Sequence, residues 1–122
     1  MAYVYMLLCE GNTLYTGIAA DVKKRISEHI NKSGAKYTKS HVALRLEALW
    51  ETQNLGGAAK LEYRIKRLDK QKKLELVKLP QSVNQLFPEL IEIGFEAKEP
   101  HEITEINRVL FCGKSERHHG KA

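Results

Sequence analysis

The run Tyr3-Val4-Tyr5-Met6-Leu7-Leu8-Cys9, dense in aromatic and β-branched residues, is followed at once by Glu10-Gly11-Asn12-Thr13 and a second short run, Leu14 to Ile18. Two such runs separated by turn residues predict a β-hairpin. A lone hairpin is barely stable in water, so the rest of the chain must supply further strand and helices that cover it. That requirement rules out an all-helical bundle and makes the placement of each later amphipathic segment informative.

Asp21 is a good N-cap for a helix over Val22 to Lys32, in which Val22, Ile26 and Ile30 form one apolar stripe; the helix is expected to end near Ser33-Gly34. A basic, polar connection from Ala35 to His41 leads to Leu44 to Glu51, whose partial period-two alternation predicts a third strand. Asn54-Leu55-Gly56-Gly57 reads as a breaker, after which Ala58, Leu61, Ile65 and Leu68 recur at helical spacing. Asp69 then caps a third helix through Leu74, Leu76 and Val77 that stops at Pro80. The order β-β-α-β-α-α describes an α+β domain over residues 1–80, a small three-stranded antiparallel sheet flanked by helices. Residues 81–122 form a C-terminal extension. Within it Leu90 to Ala97 is a candidate strand and Glu102 to Phe111 either a short helix or a strand, while 114–122 has little to bury and is expected to be mobile.

With 122 residues, 43% of them hydrophobic, there is material for one compact domain with a core but not for two. The net charge of +5 is unevenly placed: residues 1–80 carry +7 and residues 81–122 carry −2. A basic balance confined to one part of the chain suits an anionic partner such as a polyphosphate backbone, although a solvated helix surface would look the same. Cys9 and Cys112 lack both the number and the spacing of a disulfide framework or a zinc site. The first apolar run is too short to span a membrane and lacks the flanks of a secretory signal, so the expected location is cytoplasmic, without a membrane partner.

Five residues are candidates for chemistry. Arg25 and His29 lie four apart on the first helix and so share a face, where a cation and an imidazole could hold one phosphate; an exposed pair on a basic helix is the plain alternative. Glu62 follows Leu61 and precedes Ile65 by one turn, at the edge of the buried stripe, where a carboxylate needs an ion partner or a metal. Mg²⁺ often takes only one or two protein carboxylates, completing its shell with water and phosphate oxygens; a pair with Lys66 at i+4 is the alternative. Tyr5 and Tyr15 fall on the two hairpin strands, where tyrosines are common for structural reasons and can also be cross-strand neighbours.

Tyr3-Val4-Tyr5, Leu14-Tyr15-Thr16-Gly17-Ile18, Asp21 to Arg25 with His29, and Ala58-Ala59-Lys60-Leu61-Glu62 together resemble the GIY-YIG nuclease superfamily. The similarity covers about residues 2–78 and is nearest to the small single-domain bacterial branch, in which a stretch like Gly34-Ala35-Lys36-Tyr37-Thr38-Lys39 is also typical. The resemblance implies that Tyr15 activates the attacking water, Arg25 stabilises charge on the phosphate and Glu62 ligates a single Mg²⁺ or Mn²⁺, with Tyr5 and His29 supporting nucleophile and phosphate. Gly17 fits as a point of close backbone approach. The chain departs from the pattern at Tyr3 (in place of Gly) and Thr16 (in place of Ile). It departs also at Ile18, where many members carry a lysine and where Lys23 or Lys39 would have to supply the charge.

The resulting expectation is a metal-dependent endonuclease acting on DNA rather than RNA, in repair, recombination or processing of structured DNA. The rival is a nucleic-acid-binding module of the same scaffold that has lost turnover. A protein partner held by residues 81–122 is a third possibility. Lys23, Lys24, Lys36, Tyr37 and Lys39 are the expected nucleic-acid contacts, the last three because they interleave charge with an aromatic. Lys70, Lys72 and Lys73 open the third helix against its dipole, which suggests phosphate contact or a solubilising face. His118 and His119 are too few donors for a metal site, and Trp50 reads as core or sheet-edge packing.

Overall fold

A computed structural model describes residues 1–31 and 42–112. Strands β1 (Ala2–Cys9) and β2 (Thr13–Ala19) form the expected antiparallel hairpin, with Tyr5 opposite Gly17 and Leu7 opposite Tyr15. Its turn depends on Gly11 and Asn12, which take φ of 80° and 60°, a backbone form that glycine adopts freely and asparagine tolerates. Strand β3 (Ala43–Thr52) pairs with the other side of β1. The register skips Glu47, since Met6 faces Ala48 and Leu7 faces Leu46. This bulge is why the alternation along β3 is only partial.

The sheet has four strands, not three. Strand β4 (Glu96–Ala97) pairs with Glu51 and Trp50, giving the order β2-β1-β3-β4 with β2 at one edge. The strand expected over Leu90 to Ala97 contracts to these two residues because Pro88–Leu90 is a 3-10 turn and Gly94 takes φ of 80°. A two-residue bridge is too short to impose a periodicity on the sequence.

Helix α1 (Val22–Asn31) starts where Asp21 Oδ1 accepts the Lys24 N–H at 3.2 Å. Helix α2 (Leu55–Lys66) begins inside the segment expected to be a breaker: Asn54 Oδ1 accepts the Gly57 N–H at 2.8 Å, so the asparagine is a cap. Asp69 caps α3 (Lys70–Lys78) through the Lys72 N–H at 2.9 Å. Beyond it come α4 (Val83–Leu86), β4 and α5 (Pro100–Asn107), the helical form of the two left open for Glu102 to Phe111. Pro100 stands in the first turn of α5, and the Glu102 carboxylate accepts the Glu99 N–H at 3.1 Å, both start signals. A π-helical turn, Arg108–Cys112, follows. The connection 35–41, the helix end at Ser33-Gly34 and the tail 114–122 lie outside the described residues. Among the described residues no helix is long and apolar enough to cross a membrane.

Each face of the sheet carries its own core. One joins Val4, Met6, Ala48 and Trp50 to Ala58, Leu61 and Ile65 of α2 and to Leu76 of α3. The other joins Tyr5, Leu7, Leu46 and Leu49 to Val22 and Ile26 of α1. Burying each large aliphatic side chain contributes about 1.5–3 kcal/mol. The extension completes both: Val83, Phe87, Leu90 and Phe95 enter the first core, Ile106 and Phe111 the second. Trp50 is core, its Nε1 donating to the Pro80 carbonyl at 2.8 Å. Asn107 accepts the Leu46 N–H at 2.7 Å and donates to the Leu46 carbonyl at 3.0 Å, which satisfies backbone that β4 is too short to reach.

Candidate active site

Tyr5 and Tyr15 project from the same face of the hairpin, as diagonal rather than directly opposed residues, with ring centroids 6.3 Å apart. Tyr5 is 1% exposed. Its ring crosses Gly17, where a Cβ would lie 2.5 Å from the Tyr5 hydroxyl and 3.1 Å from the Tyr15 ring. Only a residue without a side chain lets the two rings converge there, over the edge strand of the sheet.

The His29 ring meets Tyr15 edge-on, with centroids 4.8 Å apart and planes at 69°. Such a contact contributes about 0.5–1.5 kcal/mol and holds the phenol in place. Arg25 is 55% exposed and pairs with Glu28 at 3.6 Å. Glu62 stands on α2, which packs on the other face of the sheet; its carboxylate is 22% exposed and meets Lys66 Nζ at 3.2 Å. The ion pair open to a helical glutamate is therefore made, and Glu62 nonetheless acts electrostatically on Tyr5.

Burial is the main force that raises the Tyr5 phenol above its ordinary range, with Tyr15, Glu62 and Glu28 adding to it and Arg25 opposing. Tyr5 thus stays protonated and is a hydrogen-bond donor. His29 is lowered from its ordinary 6.5, first by burial and then by Arg25, so the imidazole is neutral near pH 7. Burial raises the Cys9 thiol and leaves it inert.

The other expected residues separate. Lys24 is exposed on α1. Lys23 lies on the opposite flank of α1 from Arg25 and His29, beside Tyr3, Lys98 and Glu102 around a cavity of about 410 Å³. It also helps, after Arg108, to hold the Glu105 carboxyl below its ordinary value. Ile18 projects to the α2 side of the sheet and packs on the first core. Lys36, Tyr37 and Lys39 lie outside the described residues, as do His118 and His119. Glu28 is the site neighbour that sequence reasoning passed over; its one signal is its place at i+3 from Arg25.

Among the described residues no three His, Cys, Asp or Glu side chains gather as a metal cluster. Glu62 offers one half-buried carboxylate, which fits a hard ion that keeps water and substrate oxygens as its other ligands. Guanidinium, phenol donor, neutral imidazole and carboxylate together are groups that can bind a phosphodiester, orient a water and take up a proton.

Residues 1–75 match the GIY-YIG catalytic domain, and the chain belongs to the GIY-YIG nuclease superfamily. Within it the similarity is to proteins called UPF0213. One from Fusobacterium nucleatum is 42% identical over 66% of this chain and 80% of that one. Another, from Syntrophus aciditrophicus, is 44% identical over 62% of this chain and 88% of its own length. The solution NMR structure of a UPF0213 protein from Bacillus halodurans is 41% identical, covers 65% of this chain and 85% of that one, and superposes with a TM-score of 0.44.

Proposed function

We propose that the protein is a cytoplasmic, metal-dependent endonuclease that hydrolyses DNA phosphodiester bonds, in repair, recombination or the processing of structured DNA. The observation that carries this reading is the packing of the Tyr5 and Tyr15 rings over Gly17, with His29 edge-on to Tyr15 and Arg25 one turn before His29 on α1; the electrostatic influence of Glu62 on Tyr5 supports it. Arg25 takes the non-bridging oxygens of the scissile phosphate, and its Glu28 partner is exposed enough to be displaced. Tyr15 orients the attacking water, with neutral His29 beside it as proton acceptor. Tyr5 donates a hydrogen bond toward developing negative charge. Glu62 would hold the Mg²⁺ or Mn²⁺ after exchanging Lys66, and the ion would polarise the phosphoryl oxygen and stabilise the leaving oxygen.

A second reading, a nucleic-acid-binding module without turnover, draws on two observations: Ile18 offers no cation, and Lys66 already occupies the Glu62 carboxylate. One assay separates them. The full chain is incubated with supercoiled, single-stranded and branched DNA and Mg²⁺ or Mn²⁺, beside Glu62→Ala and Tyr15→Phe. Cutting by the wild type that is lost in both variants supports the enzyme. Binding without cutting, unaffected by Glu62→Ala, defeats it and favours the module.

A further inference from the structure

The three lysines that open α3 do not share one environment. Lys70 and Lys73 line, with Gly11, Asn12, Thr13 and Leu14, a cavity of about 220 Å³ between the hairpin turn and the helix. Lys70 Nζ donates to the Asn12 carbonyl, and Lys73 is half-buried. Lys70 and Lys72 are both exposed, but Lys72 takes no part in the lining. No acid lines the cavity and none stands in the first turn of α3, while the cap Asp69 gives its Oδ1 to the Lys72 N–H. Two cations gathered in one recess repel each other unless an anion joins them. The turn Asn12 to Thr13 and the Gly17 position belong to the same strand edge: Gly17 follows Thr13 by four positions along β2, about 13 Å at the rise of an extended strand. Along the duplex axis one strand advances about 3.4 Å per step, and because the backbone winds its neighbouring phosphates lie farther apart than that, so the span is about two to four nucleotides.

We propose that Lys70, Lys73 and the β1–β2 turn hold a backbone phosphate of the DNA substrate about two to four nucleotides from the phosphate presented to Tyr5 and Glu62. The proposal rests on the reading of the protein as one that acts on DNA. The recess admits a phosphodiester group but no base pair, so the contact sets affinity and register along the strand without reading sequence.

The test is equilibrium binding of a fluorescent DNA duplex at several salt concentrations without divalent ion, so that no cutting is required. Each phosphate contact contributes about 0.9 to the slope of log K against log salt. The expected result is a slope lower by about 0.9 in Lys70→Gln/Lys73→Gln, a smaller fall in the same direction in Lys73→Gln, and the wild-type slope in Lys72→Gln. Lys73→Gln leaves the Lys70 bond to Asn12 in place, so a disturbed turn cannot imitate the effect. An unchanged slope in the double variant, or an equal fall in Lys72→Gln, overturns the proposal. Wild-type protein that binds duplex with this lysine dependence yet never cuts defeats the nuclease reading and leaves the phosphate site standing. Cutting with an unaltered slope in the double variant does the reverse.

Discussion

The Tyr5 hydroxyl lies so close over Gly17 that a Cβ on that glycine would stand 2.5 Å away, and the ring carbon bearing the hydroxyl would be at 2.7 Å. Tyr5 is enclosed on its other sides, so its rigid ring has little room to give. Gly17→Ala is therefore expected to cost about 1–3 kcal/mol, the range for overpacking a filled site. Urea unfolding should show a lower midpoint with an unchanged m-value. Cutting should fall by more than the loss of folded protein explains, because the Tyr5 and Tyr15 rings must part. A midpoint equal to that of the wild type would mean that the ring is freely displaced.

The depressed His29 gives a pH dependence whose sign follows from linkage. The unfolded chain takes up the proton near the ordinary 6.5, whereas the folded chain resists it to a lower pH. In that interval the unfolded state binds more protons, so stability decreases as the pH falls below about 6.5 and the loss is complete below the folded pKa. Above that window His29 contributes no slope. Unfolding midpoints measured from pH 7.5 to 5 should show this decline in the wild type and a shallower one in His29→Gln. Parallel curves would remove His29 as its source.

Thr16 is buried at 3% exposure, and its Oγ1 has no hydrogen-bond partner among the described residues. Exchanging an unsatisfied buried hydroxyl for a methyl group of similar shape removes a desolvation cost. Thr16→Val should raise stability by about 1 kcal/mol, read as a higher urea midpoint. A lower midpoint would show that the hydroxyl has a partner after all.

Asn107 tests whether the extension is part of the folding unit. Its amide makes two hydrogen bonds to the Leu46 backbone, and Asn107→Ala leaves those groups unpaired at a cost of about 1–3 kcal/mol. Amide exchange at Leu46 should accelerate in the variant. A chain ended at residue 80 should not unfold cooperatively, since it lacks the Phe87, Phe95, Ile106 and Phe111 side chains that close both cores. Unaltered exchange at Leu46 would place the extension outside the unit.

What was legible in the sequence was local. A hairpin turn, the Asp21 and Asp69 caps and an apolar stripe are each written within a few residues, because dihedral preference and helical or strand period act over that range. The spacing of Tyr5, Tyr15, Arg25, His29 and Glu62 was sufficient to suggest one site for the same reason: each sits at a definable place on its own element. Asn54 shows the limit even there, since Asn-Leu-Gly-Gly reads as a break until the cap bond to Gly57 is seen.

Tertiary structure decided what depends on residues far apart in the chain. The β4 bridge exists only because β3 offers an open edge to Glu96 and Ala97. The flank of α1 that turns Arg25 and His29 to the tyrosines, and Lys23 toward α5, is set by how the helix rests on the sheet. Ile18 falls on the far face because β2 pairs in this register. Glu62 stands on the opposite face of the sheet from Tyr5 and Tyr15 because α2 packs there, and the Tyr5 ring fills the space that Gly17 leaves. Local preferences name the elements and their capping residues; which side chains meet is settled by the order of strands and the packing of helices on them, and no single segment carries that information.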